Sequence, residues 1–287
     1  MEIIRDVARM QKICLDLRRE GKRIAFVPTM GFLHEGHLSL LREGREQGDV
    51  LVLSIFVNPT QFGQGEDFES YPRDLTRDAE LARSAGTDLI FAPEAKDMYP
   101  NGYATYVDVE GLTDTLCGAS RPGHFRGVTT VVTKLFTIVQ PHVALFGRKD
   151  FQQLAVIQRM TADLNLPVDV VGMPIVREAD GLAMSSRNVY LSPAERQQAL
   201  ALIASIRQAS GMASEGETDA ARIIAAVTER LTQEADLVID YVHICHGRTL
   251  EDVTSVDSDS VLLLAVKIGA TRLIDNAFLL DRSAGRP

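Results

Sequence analysis

Cysteine, basic charge and long apolar runs are all scarce in this chain. Its 287 residues include three cysteines. Cys14, Cys117 and Cys245 are isolated and lack CxxC spacing, which indicates neither a disulfide framework nor a thiolate zinc site and fits a reducing cytoplasm. The 30 lysines and arginines are outnumbered by 39 aspartates and glutamates, leaving a formal charge of −9. Nothing supplies the broad basic field that nucleic acid or an anionic membrane requires, so neither is an expected partner. No uncharged stretch reaches membrane-spanning length, and Met1-Glu2-Ile3-Ile4-Arg5-Asp6 opens with charges instead of an apolar signal core, so neither export nor embedding is expected. Two nucleotide-binding signatures are also missing. No GxGxxG follows the strand at 24–27 and no Walker-A sequence occurs, which argues against dinucleotide oxidoreductase and P-loop chemistry.

What the chain does contain is alternation. With 45% hydrophobic and 24% charged residues it suits a soluble globular protein, long enough for two domains. Short runs rich in Val, Ile and Leu recur at 24–27, 50–57, 88–92, 142–146 and 168–172, with helix-favouring segments at 36–47, 74–85, 125–139 and 150–164. This predicts an α/β fold, a doubly wound Rossmann-like parallel sheet, over residues 1–176. Gly48 and Gly86 stand where helix-stopping glycines are expected. Beyond Val176 the pattern changes. Ser192-Pro-Ala-Glu195 carries the signals of a capping box, and helices at 193–210 and 217–234 precede strands at 237–245, 261–267 and 271–275. Residues 177–287 therefore read as a smaller α+β domain, with Arg177–Asn188 at the junction, a common place for a ligand site.

The turn after the strand at 24–27 is the most informative segment. In an open α/β sheet, ligands bind beyond the carboxyl ends of the strands, and phosphate meets a helix N-terminus there. His34 and His37 fall in that turn, spaced to share one side of the first helical turn, and Gly36 permits close approach to the backbone. Imidazoles so placed can stabilise charge developing on phosphate oxygens. Surface histidines at a helix start are the alternative. Metal binding is less suited, because His34-Glu-Gly-His37 is not HExxH and has no third ligand at informative spacing.

Lys149 and Asp150 follow the strand ending at Phe146 and so fall on the same carboxyl edge. An exposed helix N-terminus would explain Asp150 but not Lys149, whose charge opposes the helix dipole. Gln61 and Gln153 offer neutral amides suited to hydroxyls and a carboxylate, or are solvated surface residues. Met184-Ser185-Ser186-Arg187 presents two hydroxyls and a guanidinium behind Gly181, suited to phosphate or to a polar linker.

These residues together resemble one family. Pro28-Thr-Met-Gly-Phe-Leu-His-Glu-Gly-His37 is similar to the HxGH signature of the nucleotidyltransferase superfamily, in the extended form typical of the pantothenate synthetase (pantoate–β-alanine ligase) family. Phe56-Val-Asn-Pro-Thr-Gln-Phe62, Arg121-Pro-Gly-His-Phe-Arg-Gly-Val128, Phe146-Gly-Arg-Lys-Asp-Phe-Gln-Gln153, Gly181-Leu-Ala-Met-Ser-Ser-Arg-Asn188 and Ile268-Gly-Ala-Thr-Arg-Leu-Ile-Asp-Asn276 resemble that family in its order. The resemblance implies an AMP-forming ligase that joins pantoate to β-alanine through a pantoyl adenylate. It implies ATP contacts from Met30, Gly31, His34, Gly36, His37, Gly147, Lys149, Asp150, Val176, Met184, Ser185, Ser186 and Arg187. His34, His37, Lys149, Ser185, Ser186 and Arg187 would serve the chemistry, and Gln61 and Gln153 would bind pantoate, Gln61 also lying near β-alanine. The Met184–Arg187 segment resembles a KMSKS-type loop with arginine for the second lysine. Magnesium bridging the phosphates and a homodimer are implied as well, with no protein ligand for the metal named.

Two other activities fit parts of the pattern. Nucleotidyl transfer to a phosphate-bearing acceptor would use the histidines and serines but leaves both glutamines unexplained. A catalytically silent nucleotide-binding protein predicts lost motif positions, and none is lost. Cys117 reads as a packed thiol, His142, His243 and His246 as structural, and His124 and Arg126 as lid or interface residues. The polar loop 63–71 is expected to close over the site and exclude water.

Overall fold

The structure is a computed structural model that describes residues 1–280. Contacts divide it into two units, Met1–Arg148 with Val156–Pro174, and Lys149–Ala155 with Ile175 onward.

The first unit is built on six strands, β1 (Glu2–Ile4), β2 (Ile24–Thr29), β3 (Val50–Ile55), β4 (Leu89–Phe91), β5 (Val143–Gly147) and β6 (Asp169–Met173), in the order β1-β4-β3-β2-β5-β6. Every pairing is parallel. The helices are α1 (Val7–Arg19), α2 (Glu35–Gln47), α3 (Leu75–Ser84), the short α4 (Ala95–Met98) and α5 (Cys117–Ser120), α6 (His124–Val139) and α7 (Phe151–Asp163), the last beginning in residues grouped with the second unit. The five expected strands and four long helices are present to within about two residues at their ends. The pattern in the sequence assigns nothing ahead of Ile24, where β1 and α1 lie. β1 is too short for alternation to register, although Asp6 caps α1 by accepting from Arg9 N–H at 2.6 Å.

β2 is consequently the second strand in sequence but central in space. The chain steps outward from β2 through β3 and β4, then returns to the other side of β2 to form β5 and β6. The direction of winding reverses between β2 and β5, which makes their carboxyl ends the switch point where ligands bind. Ile24 to Val27 are all fully buried, as a strand covered on both faces requires. α2 packs Leu38, Leu40 and Leu41 against Val27, Leu51, Leu53 and Leu145, each buried leucine contributing about 1.5–3 kcal/mol. Glycine at position 44 lets that helix approach closely: a Cβ there would lie 2.8 Å from Leu51 Cδ1. Gly86 has the positive φ, +84°, of a left-handed helix stop, whereas Gly48 is extended and is required because a Cβ would meet Ala25 N at 2.7 Å.

The second unit packs α8 (Pro193–Ser214) and α9 (Ala220–Leu231) on an antiparallel sheet of β7 (Leu237–His246), β8 (Ser260–Ile268) and β9 (Thr271–Phe278). Ile206, Ile223, Val227, Leu262, Leu264 and Leu273 lie at the centre of its core. The Ser192 capping box forms, with Glu195 N–H donating to Ser192 Oγ at 3.3 Å and Ser192 N–H to Glu195 Oε2 at 2.8 Å.

Candidate active site

The carboxyl end of β2 turns through Gly31 (φ +88°) and Phe32 (φ +51°) into α2. A buried carboxylate holds this turn. Asp78 on α3, 1% exposed, accepts Phe32 N–H and Leu33 N–H at 2.7 Å each, and its oxygen would lie 3.1 Å from a Cβ on residue 31. Burial raises its pKa against the lowering effect of those two hydrogen bonds. Leu33 is fully buried, so the turn is anchored just ahead of His34.

His34 caps α2. Its Nδ1 accepts Gly36 N–H at 3.2 Å, and His37 Nδ1 accepts His34 N–H at 3.3 Å, a reciprocal cap made by two imidazoles instead of serine and glutamate. A ring that accepts at Nδ1 carries its proton on Nε2 when neutral, so Nε2 is the donor each can offer a phosphate oxygen.

Gln61 closes a 3₁₀ turn, Pro59–Gln61, that follows β3. It is 9% exposed, not the solvated residue its chemistry alone suggests. Its Oε1 accepts Asn58 Nδ2–H at 3.1 Å and its Nε2 donates to Met30 Sδ at 3.1 Å. Asn58, 1% exposed, also donates to Gly127 O at 3.1 Å and accepts Tyr99 O–H at 2.8 Å. Burial pushes the Tyr99 pKa up to about 12, which keeps it a donor. Glycine 127 admits this turn against α6, since a Cβ would lie 2.3 Å from Thr60 O. Asn58 was not singled out in the sequence, yet the Asn-Pro pair in Phe56–Phe62 is a turn signal that marks it.

A second layer holds Gln61 by its carbonyl. His124 Nδ1–H donates to Gln61 O at 2.8 Å, and Arg121 Nη2–H reaches the same oxygen at 3.3 Å. With that proton on Nδ1, His124 Nε2 accepts from Arg121 Nη1 at 3.1 Å. Arg121 is clamped in turn by Glu66 of the 63–71 loop, through Nε to Oε1 at 2.6 Å and Nη2 to Oε2 at 2.5 Å. Burial raises the Glu66 pKa, but the hydrogen bonds and charge of Arg121 override it and leave a value of about 2. Phe62 packs edge-on against Phe68 and Tyr71, so the loop has a small apolar core of its own. Arg126, grouped with His124 in the sequence, instead stacks on Tyr106 at 4.1 Å.

Gly147 ends β5, on the other side of the switch point from the histidine turn. Lys149, Asp150 and Gln153 belong with the second unit. The Lys149 side chain is 19% exposed, with Nζ 3.7 Å from Asp150 Oδ2; Gln153 is half-buried at the start of α7. In the same unit, Val176–Met184 folds back on itself: Met184 N–H donates to Val176 O at 3.0 Å, Glu178 N–H to Leu182 O at 2.8 Å, and Gly181 turns the chain at φ +96°. Ser185 caps the following 3₁₀ turn by accepting Arg187 N–H at 3.3 Å. Ser186 is buried, and Asn188 donates to Glu178 Oε1 at 2.6 Å.

The remaining histidines, with Cys14 and Cys245, support local structure. His142 Nδ1 accepts Ile24 N–H at 2.9 Å at the amino end of the sheet, away from the ligand edge. His246 accepts from the Arg248 and Thr249 amides, and His243 pairs with Asp252. Burial pushes the Cys14 and Cys245 thiols up to about 12, where they are inert at neutral pH. Among the described residues no cluster of three His, Cys, Asp or Glu is placed to hold a metal, and no helix is long and apolar enough to cross a membrane.

A doubly wound parallel sheet with a histidine-capped helix at its switch point, joined to a small antiparallel unit, defines a nucleotide-handling α/β protein. Comparison with known proteins narrows the class. A model of the pantoate-β-alanine ligase family matches residues 2–278. Pantothenate synthetase of Syntrophotalea carbinolica is 67% identical over 98% of this chain and 99% of its own, and that of Geobacter sulfurreducens is 61% identical over 97% and 99%. The crystal structure of pantothenate synthetase from Thermus thermophilus matches with a TM-score of 0.93 at 47% identity, covering 97% of this chain and 99% of that one. Pantoate-β-alanine ligase from Francisella tularensis, complexed with β-γ ATP and β-alanine, matches with a TM-score of 0.80 at 31% identity, covering 97% and 98%. The chain belongs to the pantoate-β-alanine ligase family.

Proposed function

We infer that this chain condenses pantoate with β-alanine at the expense of ATP. The match to the family over nearly its whole length carries the reading. A pantoate carboxylate oxygen attacks the α-phosphorus of ATP and pyrophosphate leaves; the β-alanine amine then attacks the acyl carbon, and AMP leaves as pantothenate forms. No covalent enzyme intermediate is required, in accord with the Cys14 and Cys245 thiols, which burial makes inert.

His34 and His37, with Met30, Gly31, Gly36 and Gly147, serve ATP. By the family resemblance Lys149, Asp150, Val176, Met184, Ser185, Ser186 and Arg187 are nucleotide-binding residues as well. The histidine Nε2–H donors and the cations stabilise charge on the phosphates as the bond to pyrophosphate breaks. Stabilisation by donated hydrogen bonds suffices for the histidines, because pyrophosphate does not need to leave fully protonated. Gln61 and Gln153 bind pantoate. The resemblance of Phe56–Phe62 and Phe146–Gln153 to the family's segments supports this. On this reading residues up to 176 hold nucleotide and pantoate, those from 177 carry the phosphate loop, and Lys149–Ala155 is grouped with the latter.

The family resemblance implies magnesium, which would accompany the nucleotide and supply positive charge to the phosphates as pyrophosphate leaves. The family resemblance supports a homodimer, and cysteines outside any disulfide support a cytoplasmic setting. The deciding experiment is pantoate-dependent exchange of labelled pyrophosphate into ATP without β-alanine. Exchange that requires pantoate establishes the first half-reaction; its absence in folded, ATP-binding protein overturns it.

A further inference from the structure

Two adjacent residues of β9, Asp275 and Asn276, lie outside the phosphate-binding set yet reach both of its segments in the second unit. Asp275 is 2% exposed and takes Arg177 bidentately, Nη1 to Oδ2 at 2.7 Å and Nη2 to Oδ1 at 3.0 Å. Arg177 stands at the root of the phosphate loop. It bridges to Ala183, and its Nη1 also donates to Gly181 O at 3.1 Å, gripping the turn from which Met184–Arg187 emerges. Asn276 is 5% exposed and donates from Nδ2 to Lys149 O at 2.9 Å. Two residues on, Phe278 packs edge-on against Phe151, with ring centroids 5.6 Å apart. Successive strand residues face opposite sides of a sheet, which is how one strand holds one segment on each face.

A buried ion pair of this kind is weak evidence for stability, because desolvation offsets much of its attraction. Its geometric content is greater. Cations and hydroxyls stabilise a departing phosphate only when held in register, and a misplacement of about 1 Å costs about a hundredfold in rate.

We propose that Asp275 and Asn276 form a bracket that sets Lys149 and the Ser185–Arg187 loop in register with each other, and are positioning residues for adenylation. This rests on the reading of Lys149 and that loop as phosphate-binding. The bracket serves the step in which pyrophosphate leaves and has no task once the acyl adenylate exists.

The test compares Asn276→Ala, Asn276→Asp and Lys149→Ala in both half-reactions. Asn276→Ala is expected to lower pantoate-dependent pyrophosphate exchange about tenfold to a hundredfold, in kcat more than in KM for pantoate. Release of pantothenate from supplied pantoyl adenylate and β-alanine should stay within about twofold, a split that a merely structural role would not produce. Asn276→Asp has the same size but cannot donate to Lys149 O, so it should lose as much as the alanine variant; full activity in it overturns the bracket. Equal loss in both half-reactions, tracking lost folded protein, also overturns it. If Lys149→Ala loses exchange and Asn276→Ala does not, the bracket alone falls. If Lys149→Ala keeps exchange, the underlying phosphate reading falls and takes the bracket with it.

Discussion

His34 and His37 lie with ring centroids 4.1 Å apart and ring planes tilted by 38°, while each accepts one backbone N–H of the α2 start through Nδ1. One pair of side chains thus completes the helix start, and the phosphate contact proposed for their Nε2 atoms is a second task. The two tasks are separable. Asparagine is a good N-cap, so His34→Asn is expected to keep stability within a few tenths of a kcal/mol. Without an Nε2 donor it should lose about 10²–10³ in pyrophosphate exchange. His34→Ala should lose both, adding roughly 1 kcal/mol of destabilisation. Thermal melts beside exchange rates decide it: an active His34→Asn would reduce His34 to a helix cap.

Lys149 faces the opposite expectation, activity without a structural task for its side chain. Nζ lies 3.7 Å from Asp150, a contact too weak to matter much to folding. Lys149→Ala should remain folded while adenylation falls by about 10²–10³, equivalent to roughly 3–4 kcal/mol of lost transition-state stabilisation. Single-turnover formation of acyl adenylate is the direct measurement. Near-normal turnover removes Lys149 from the site.

Much of this was legible in the sequence because the signals were local. Buried parallel strands are continuous apolar runs, and the histidine turn, the Ser192 cap and the Ser-Ser-Arg loop are contiguous motifs. What stayed hidden depends on residues distant in sequence. Gln61 is held at its carbonyl by Arg121 and His124, its neighbour Asn58 by Tyr99, and the 31–33 turn by Asp78, none with a signal in the segment it serves. Gly48 and Gly127 were equally opaque. Their reason is a neighbouring backbone at 2.7 and 2.3 Å from an added Cβ, not a dihedral that the sequence displays.

For Gln61, both amide ends already have protein partners, so substrate contact and turn anchoring compete as explanations. Gln61→Ala is expected to raise the dissociation constant of pantoate about tenfold or more, with ATP affinity changed less than twofold, since one hydrogen bond to a charged group contributes about 1.5–3 kcal/mol. Calorimetric titration of each ligand separates the two. Equal loss of both affinities would assign Gln61 to holding the turn.

The Glu66–Arg121 pair couples the 63–71 loop to the residue that grips Gln61 O, so its charge state should be visible both in acid and in solvent exchange. The folded Glu66 pKa of about 2 lies below its ordinary value of 4.5. The pair therefore contributes stability that is complete above pH 4.5 and fades as pH falls toward about 2. Glu66→Gln should melt lower than the parent protein at pH 6, and the gap should close on acidification through that window. A gap that persists unchanged at pH 2 would show that the ionised carboxylate is not its source. The same substitution should speed amide exchange in residues 63–71 several-fold at pH 7. In the parent protein, ATP plus pantoate should slow exchange there, as a loop that shields the acyl adenylate from water must close once the adenylate can form. Unchanged exchange on adding both substrates would leave the loop a fixed wall of the pantoate end, with Glu66 retained for its grip on Arg121 alone.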